Sequence, residues 1–465
     1  MPINSFLYPA PSNSDNFEVA NSLRFDDGSS DNLTKTFGSA GNRDTFTLSA
    51  WVKRAALTTS MTIFGGGADD NNRLVIGFGS ADDFRVTDVN SGSGTVVIAT
   101  DRLFRDVAAW YHIVVAYDTT QSTDSNRVKL YINGVQETSF SSTNYPSQNA
   151  DQHINGAVGH FIASNKPSSP SNYFDGYMAE VAFVPTSFGE FDSASPTIWK
   201  PKEILTKLSF GTNGFYLQFK NSSSLGADSS SNGNNFTVNN LTSIDQSTDT
   251  CTNNFCTLNP LASGGNPTFS EGNLKLTRAS GDGTSQKTTF STIAASSGKW
   301  YAEVKIDSVG SNGLIIGFVN VNKSNLPNTN LGTGEDDFSA GIYSNGGPIF
   351  YSSGTTFATV GSYSADDILQ LAMDIDNGYL YWGKNGTYLN SGDPTSGSSG
   401  TGGLALSNLT SGDTYTFAIA IRNNATIQMN YGSPPFSISS GNSDTEGFGN
   451  FEYAVPSGYF ALCTK

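Results

Sequence analysis

The sequence predicts an all-β chain built as two tandem antiparallel β-sandwiches, and three features of the residues predict it. Short apolar runs alternate with polar residues at a period of two and are punctuated by Gly, Asn and Asp, the pattern of strands joined by turns. No segment carries the 3.6-residue periodicity of a long amphipathic helix. The chain of 465 residues exceeds what one hydrophobic core holds, since domains run to roughly 100–200 residues. Two units without a visible internal repeat account for that length.

Residues 1–20 read as an extended arm, with Pro2, Pro9 and Pro11 set among Ser and Asn. Phe6, Leu7, Tyr8 and Phe17 are apolar groups that so short a segment cannot bury by itself, so they are its expected docking residues. Strands are predicted at 23–25, 46–54, 73–78, 84–89, 96–99, 110–117 and 128–132, with turns at Gly65-Gly66-Gly67, Asp69-Asp70-Asn71-Asn72 and Asn133-Gly134. Phe46, Leu48, Ala50 and Val52 share one face of their strand and Trp51 lies on the other. The run Leu130-Tyr131-Ile132-Asn133-Gly134-Val135 predicts a hairpin, because Asn-Gly tolerates positive backbone dihedrals. A further strand is expected at 214–219.

Ser, Asn and Asp dominate 221–240, and 227–235 reads as an Asx-rich loop or a calcium loop, the latter lacking a bidentate Glu at the spacing of a calcium hand. The expected division is an arm at 1–20, a first sandwich at 21–220, a Ser/Asn-rich linker at 221–265 and a second sandwich at 266–465. In the last, strands are expected at 298–306, 314–319, 368–376, 380–384, 415–421 and 425–431.

The formal net charge is −16, with 41 acidic against 25 basic residues. No Lys/Arg cluster follows a phosphate backbone, so nucleic acid is not an expected partner. The negative charge serves solubility or marks carboxylate sites for calcium; no cofactor is expected, with calcium left open. No stretch approaches the roughly 20 apolar residues of a membrane span, and 1–20 lacks the basic start and apolar run of a secretory leader, so the expectation is no membrane insertion and no export. Cys251, Cys256 and Cys463 are too sparse for a disulfide framework. His112, His153 and His160 are too poorly accompanied for a metalloenzyme, and His112 reads as a core or edge residue. No Gly-x-Ser-x-Gly elbow, Cys/His pair or phosphate-cradling Gly-Lys-Ser/Thr is present.

Three segments, Trp110-Tyr111-His112-Ile113, Leu130-Tyr131-Ile132-Asn133-Gly134 and Phe174-Asp175-Gly176-Tyr177-Met178-Ala179-Glu180-Val181, resemble the ordered motifs of laminin-G-like, concanavalin A-like jelly rolls. In the second half, Trp300-Tyr301-Ala302-Glu303, the strand into Asp376-Asn377-Gly378 and the strand ending Lys384-Asn385-Gly386 resemble the SPRY pattern. The jelly-roll resemblance also covers glucanases, whose Glu-x-Asp-x-x-Glu strand is absent here; Glu446 and Glu452, six apart, come nearest. A non-catalytic protein is therefore expected.

Recognition remains. Expected ligand-binding residues are Asp69, Asp70 and Asn71 on their turn, and Tyr343, Tyr351, Tyr363 and Tyr388 as exposed aromatics that stack on sugars or fill a partner's pocket. Trp382 reads as core, and turn formation alone also explains Asp69–Asn71. The stretches 19–25, 211–217 and 458–465 resemble structural proteins of marine tailed phages. That resemblance implies a virion location, in a fibre, tail or capsid decoration. It implies other virion proteins as partners, a host-surface glycan as ligand and assembly as a homo-oligomer. A bacterial lectin and a glycan hydrolase are the competing readings.

Overall fold

The computed structural model describes residues 17–184, 190–191, 199–279, 287–311, 313–321, 337–409 and 412–465. Phe6, Leu7 and Tyr8 lie outside the described residues. The described chain divides into two compact units, 17–254 and Phe255–Lys465, and each is a sandwich of antiparallel strands apart from one short parallel pairing, of residues 300–301 with 460–461 in the second unit.

The first unit contains β1 (Ser22–Phe25), β2 (Asn32–Thr36), β3 (Thr45–Arg54), β4 (Met61–Asp69), β5 (Asn72–Phe78), β6 (Asp83–Asn90), β7 (Ser93–Leu103), β8 (Trp110–Asp118) and β9 (Val128–Ile132). It continues through β10 (Val135–Gln136), β11 (Phe140–Thr143), β12 (Gly159–Ile162), β13 (Gly176–Phe183), β14 (Glu190–Phe191), β15 (Trp199–Lys200), β16 (Phe215–Leu217), β17 (Thr237–Asn239) and β18 (Gln246–Ser247). One sheet runs β10-β9-β8-β3-β13-β1-β18 with β16 beside β13, and the other runs β11-β7-β6-β5-β4-β12-β2-β17. Phe46, Leu48, Ala50 and Val52 point between the sheets into a core with Ile63, Phe64, Leu74, Ile76, Phe84 and Met178, as the period of two requires. The Asn133-Gly134 turn has positive φ at both residues, 49° and 76°, and closes the β9–β10 hairpin with Ile132 opposite Val135.

Three expectations need correction. Gly65-Gly66-Gly67 is not a turn but the middle of β4. A Cβ at Gly65 would lie 2.5 Å from the Phe161 ring and one at Gly66 2.8 Å from the His160 ring, so the glycines admit the side chains of β12. The residues read as the first part of a linker, 221–254, belong to the first unit. Phe236 is buried edge-on to Phe215, β17 extends the sheet through β2, and β18 pairs with β1. Finally, Phe17 is half-buried beside Val19, Trp51 and Ala179 of its own unit, so it is not a protruding docking group.

The second unit contains β19 (Leu258–Ser263), β20 (Thr268–Ser270), β21 (Lys275–Arg278), β22 (Lys287–Ser291), β23 (Lys299–Val309), β24 (Ile315–Asn320), β25 (Ser339–Tyr343) and β26 (Pro348–Tyr351). After these come β27 (Thr355–Thr359), β28 (Ile368–Asp374), β29 (Tyr379–Lys384), β30 (Thr387–Tyr388), β31 (Leu404–Ala405), β32 (Tyr415–Ile421), β33 (Ala425–Asn430) and β34 (Phe460–Ala461). Its sheets are β19-β22-β32-β24-β25-β26-β27 and β20-β21-β33-β23-β28-β29-β30, with β31 beside β29 and β34 beside β23. Trp382 packs in the core against Phe318 and donates its indole N–H to Ile316 O at 3.0 Å. No helix among the described residues is long and apolar enough to cross a membrane.

Candidate functional site

On the outer face of the first unit's sheet that runs from β11 to β17, β5 and β6 lie in register with Arg73 opposite Val89, Val75 opposite Thr87 and Gly77 opposite Arg85. Their partners on the same strands, Leu74, Ile76, Phe84 and Val86, face the core, so alternation sends this second set outward. Together they floor a groove of about 160 Å³, walled by Ser60, Thr62, Asn165 and Asn172. The two arginines stand at opposite ends, four residues apart along the strands, or roughly 13 Å at about 3.3 Å per residue.

Each arginine is held differently. Arg85 donates from Nε to Asp83 at 2.6 Å, and a Cβ at Gly79 would fall 2.5 Å from that Nε, so the glycine gives the guanidinium room to lie across the strand end. Arg73 donates from one terminal nitrogen to the Asp70 carbonyl, while its Nε is buried without a hydrogen-bond partner. Burial pulls the Arg73 guanidinium below its ordinary pKa, against the nearby Asp70 and Asp69. Asn165 is positioned by the Ser171 hydroxyl, which donates to its Oδ1 at 2.9 Å, and Asn172 by its carbonyl accepting from Thr62 N at 2.9 Å. Among the described residues the lining carries guanidinium, amide and hydroxyl groups and no carboxylate.

The residues expected from sequence lie elsewhere. Asp69 accepts from Asn71 N at 2.8 Å and from the Asn72 amide, and Asp70 accepts from Ser168 N at 3.0 Å and from the Ser169 hydroxyl, which hold the Asp70 carboxyl below its usual range. Asn71 O accepts from Gly92 N. All three build the β4–β5 turn. Tyr363 is not an exposed aromatic: it is 3% exposed, and its hydroxyl donates into the strand ends at Leu314 O, 2.7 Å away. Tyr388 is half-buried with its hydroxyl buried and unpartnered, and burial drives its pKa far up. Tyr343 packs beside Phe290 and Ile315, and Tyr351 against the second core. The four tyrosines do not converge. Asp228 likewise accepts from Tyr216 N, Ser230 N, the Ser230 hydroxyl and Asn234 N, so the Ser/Asn-rich stretch is an Asx loop whose carboxylate is filled by its own donors.

The opposite sheet holds a Ser–His pair that sequence spacing did not reveal. Ser49 Oγ lies 2.9 Å from His112 Nε2, and the ring stacks on Trp51 with Trp199 at its edge. Trp199 Nε1 donates to His112 Nδ1 at 2.7 Å, and an indole only donates. Nδ1 is therefore the acceptor, and Nε2 carries the proton and donates it to Ser49. Burial pushes the ring's pKa down to about 3, so it is neutral, but in the tautomer that cannot take a proton from Ser49. Glu180 sits nearby, lining the same small cavity of about 10 Å³.

An all-β sandwich with a polar groove on one sheet is the class of protein that fold and site define. Within it, residues 27–190 match the family model of the concanavalin A-like lectin/glucanases superfamily. Among solved structures, the chain is similar to the SPRY domain of human HERC1, at 12% identity over 37% of this chain and 96% of that one, with a TM-score of 0.28. It is also similar to the TRIM65 PSpry domain, at 14% identity over 38% and 91% with a TM-score of 0.29. A third is domain 4 of AbnA, an extracellular arabinanase from Geobacillus stearothermophilus in complex with arabinotriose, at 26% identity over 30% and 61% with a TM-score of 0.24. No curated protein matches.

Proposed function

We propose that the chain is a non-catalytic, glycan-binding protein of a bacteriophage particle surface, and that its first unit holds a host saccharide in the groove on β5 and β6. The observation that carries this is the groove's lining, placed on the segment that matches a superfamily of lectins and glucanases. Planar guanidinium and amide groups beside hydroxyls suit sugar hydroxyls. Glycoside hydrolysis by the usual route needs two carboxyl groups roughly 5–9.5 Å apart, and the described residues of the lining supply none. The Ser49–His112 pair is buried and in the wrong tautomer for acyl transfer.

The virion assignment rests on the resemblance of 19–25, 211–217 and 458–465 to phage structural proteins. These stretches contain β1, β16 and β34, which are framework strands, so the resemblance concerns how the sandwiches are built. Other virion proteins and further copies of the chain are the expected partners, with calcium not required by the groove. Antibodies to residues 17–254 should label intact particles and block their adsorption to host cells. Particles that lack the chain contradict the virion assignment. Thr87→Trp fills the floor of the groove and should abolish binding of labelled host polysaccharide; unchanged binding would place the site elsewhere.

A further inference from the structure

We infer that the groove is built for an acidic saccharide, with anionic substituents reaching Arg73 and Arg85 while sugar rings lie over Val75, Thr87 and Val89. This rests on the glycan reading above and names the ligand's chemistry. In a chain of net charge −16, two guanidinium groups line one groove that contains no carboxylate among the described residues. The nearby acids are engaged: Asp69 and Asp70 in the turn and its Ser168–Ser169 contacts, Asp83 on Arg85. Arg73 lines the groove with one terminal nitrogen given to the Asp70 carbonyl, which anchors its charge at that end. A guanidinium is a fixed positive charge whose remaining N–H groups suit a carboxylate or sulfate ester. Between the arginines the floor is apolar and hydroxylated, and Gly77 opposite Arg85 keeps that end shallow enough for a ring. Arg73 is the stronger contact, because Asp83 already neutralises part of Arg85.

The overall negative charge makes the test discriminating, since nonspecific attraction to a polyanion is absent. The full chain is titrated calorimetrically with three oligosaccharides of equal length: a carboxylated uronate, a sulfated galactan and a neutral β-glucan. At least one acidic oligosaccharide should bind roughly ten-fold or more tightly than the neutral one, the value of one charge-assisted contact. That preference should shrink as salt rises from about 0.05 to about 0.5 M. Which acidic arm binds tells carboxylate from sulfate. Arg73→Gln should lose roughly ten-fold toward the acidic ligand, Arg85→Gln less, and Arg73→Lys should recover part of the loss; matched thermal unfolding shows that the variants fold. If the neutral glucan binds equally well, or Arg73→Gln changes nothing while Thr87→Trp still abolishes binding, the acidic inference fails and the glycan groove stands. If none of the three binds, both fail.

Discussion

Glu180 sits at φ 51° in the bulge of β13, where the register shifts between Ala179 and Ala182, and it is 7% exposed. Burial pushes its carboxyl up to about 8, against pulls from Lys220 and Gln218. The folded carboxyl keeps its proton to about pH 8, whereas in the unfolded chain it releases it near 4.5. Stability from this group is therefore fully present below pH 4.5 and is lost as pH rises to 8, at about 1.4 kcal/mol per pH unit where the difference is complete. His112 and His160 act from the other side: burial pulls them to about 3 and about 4, so their contribution is lost as pH falls below 6.5. Urea denaturation of Glu180→Gln should show the alkaline slope between pH 5 and 8 flattened, with the acid slope kept. An unchanged alkaline slope would mean that Glu180 is ionised in the folded state. None of this was legible from sequence, where Glu180 is one residue of the Phe174–Val181 motif and its bulge has no local signature. Tyr363 misled for the opposite reason: its neighbours Ser362 and Ser364 look like loop, while its hydroxyl is spent on two backbone carbonyls.

At the scale of elements, the segment 242–254 shows why composition misread 221–265. Polar residues rich in Asx chemistry look like linker, yet here they clamp a sheet through their own hydrogen bonds. Asp249 accepts from Lys53 Nζ at 2.8 Å and Trp110 Nε1 at 3.1 Å, its carbonyl accepts from Ser22 Oγ at 2.6 Å, and Lys53 lies over the Tyr177 ring. Both partners of the ion pair are 1% exposed. Removing one leaves a buried charge uncompensated, so Lys53→Ala should cost about 3–5 kcal/mol in unfolding of the first unit. Lys53→Met with Asp249→Leu should recover much of that loss, because an apolar replacement of a buried pair is often neutral. A single substitution costing under about 1 kcal/mol would show that the clamp contributes nothing. Periodicity served well where one face is buried: 46–54, 73–78, 84–89 and 110–117 fall on β3, β5, β6 and β8. It failed at β4, where three glycines carry no alternation and the reason lies on the neighbouring strands, β12 for Gly65 and Gly66 and β5 for Gly67. The groove was half visible, since Arg73, Val75 and Gly77 alternate with core residues, but its walls come from Ser60, Thr62, Asn165 and Asn172, which only the fold brings beside β5 and β6.

At the scale of the whole molecule, each unit has its own pair of large sheets and its own core, which makes a division after Asn254 a prediction about folding. A piece comprising residues 17–254 should unfold cooperatively by itself, whereas one ending at 220 should not, because it lacks Phe236, β17, β18 and the partner of Lys53. Cooperative unfolding of the shorter piece would return 221–254 to the role of a linker. The presence of two sandwiches was legible because each half carries its own strand set; where the first one ends was not, because its closing strands are two and three residues long. The most direct test of the central claim, that the first unit's groove holds glycan without cutting it, is methyl spectroscopy of the full chain titrated with host-surface oligosaccharides, with reducing ends followed in the same sample. The methyls of Val75 and Val89 should shift and saturate while no reducing ends are released. Shifts confined to the second unit, or reducing ends that accumulate with turnover, would contradict it.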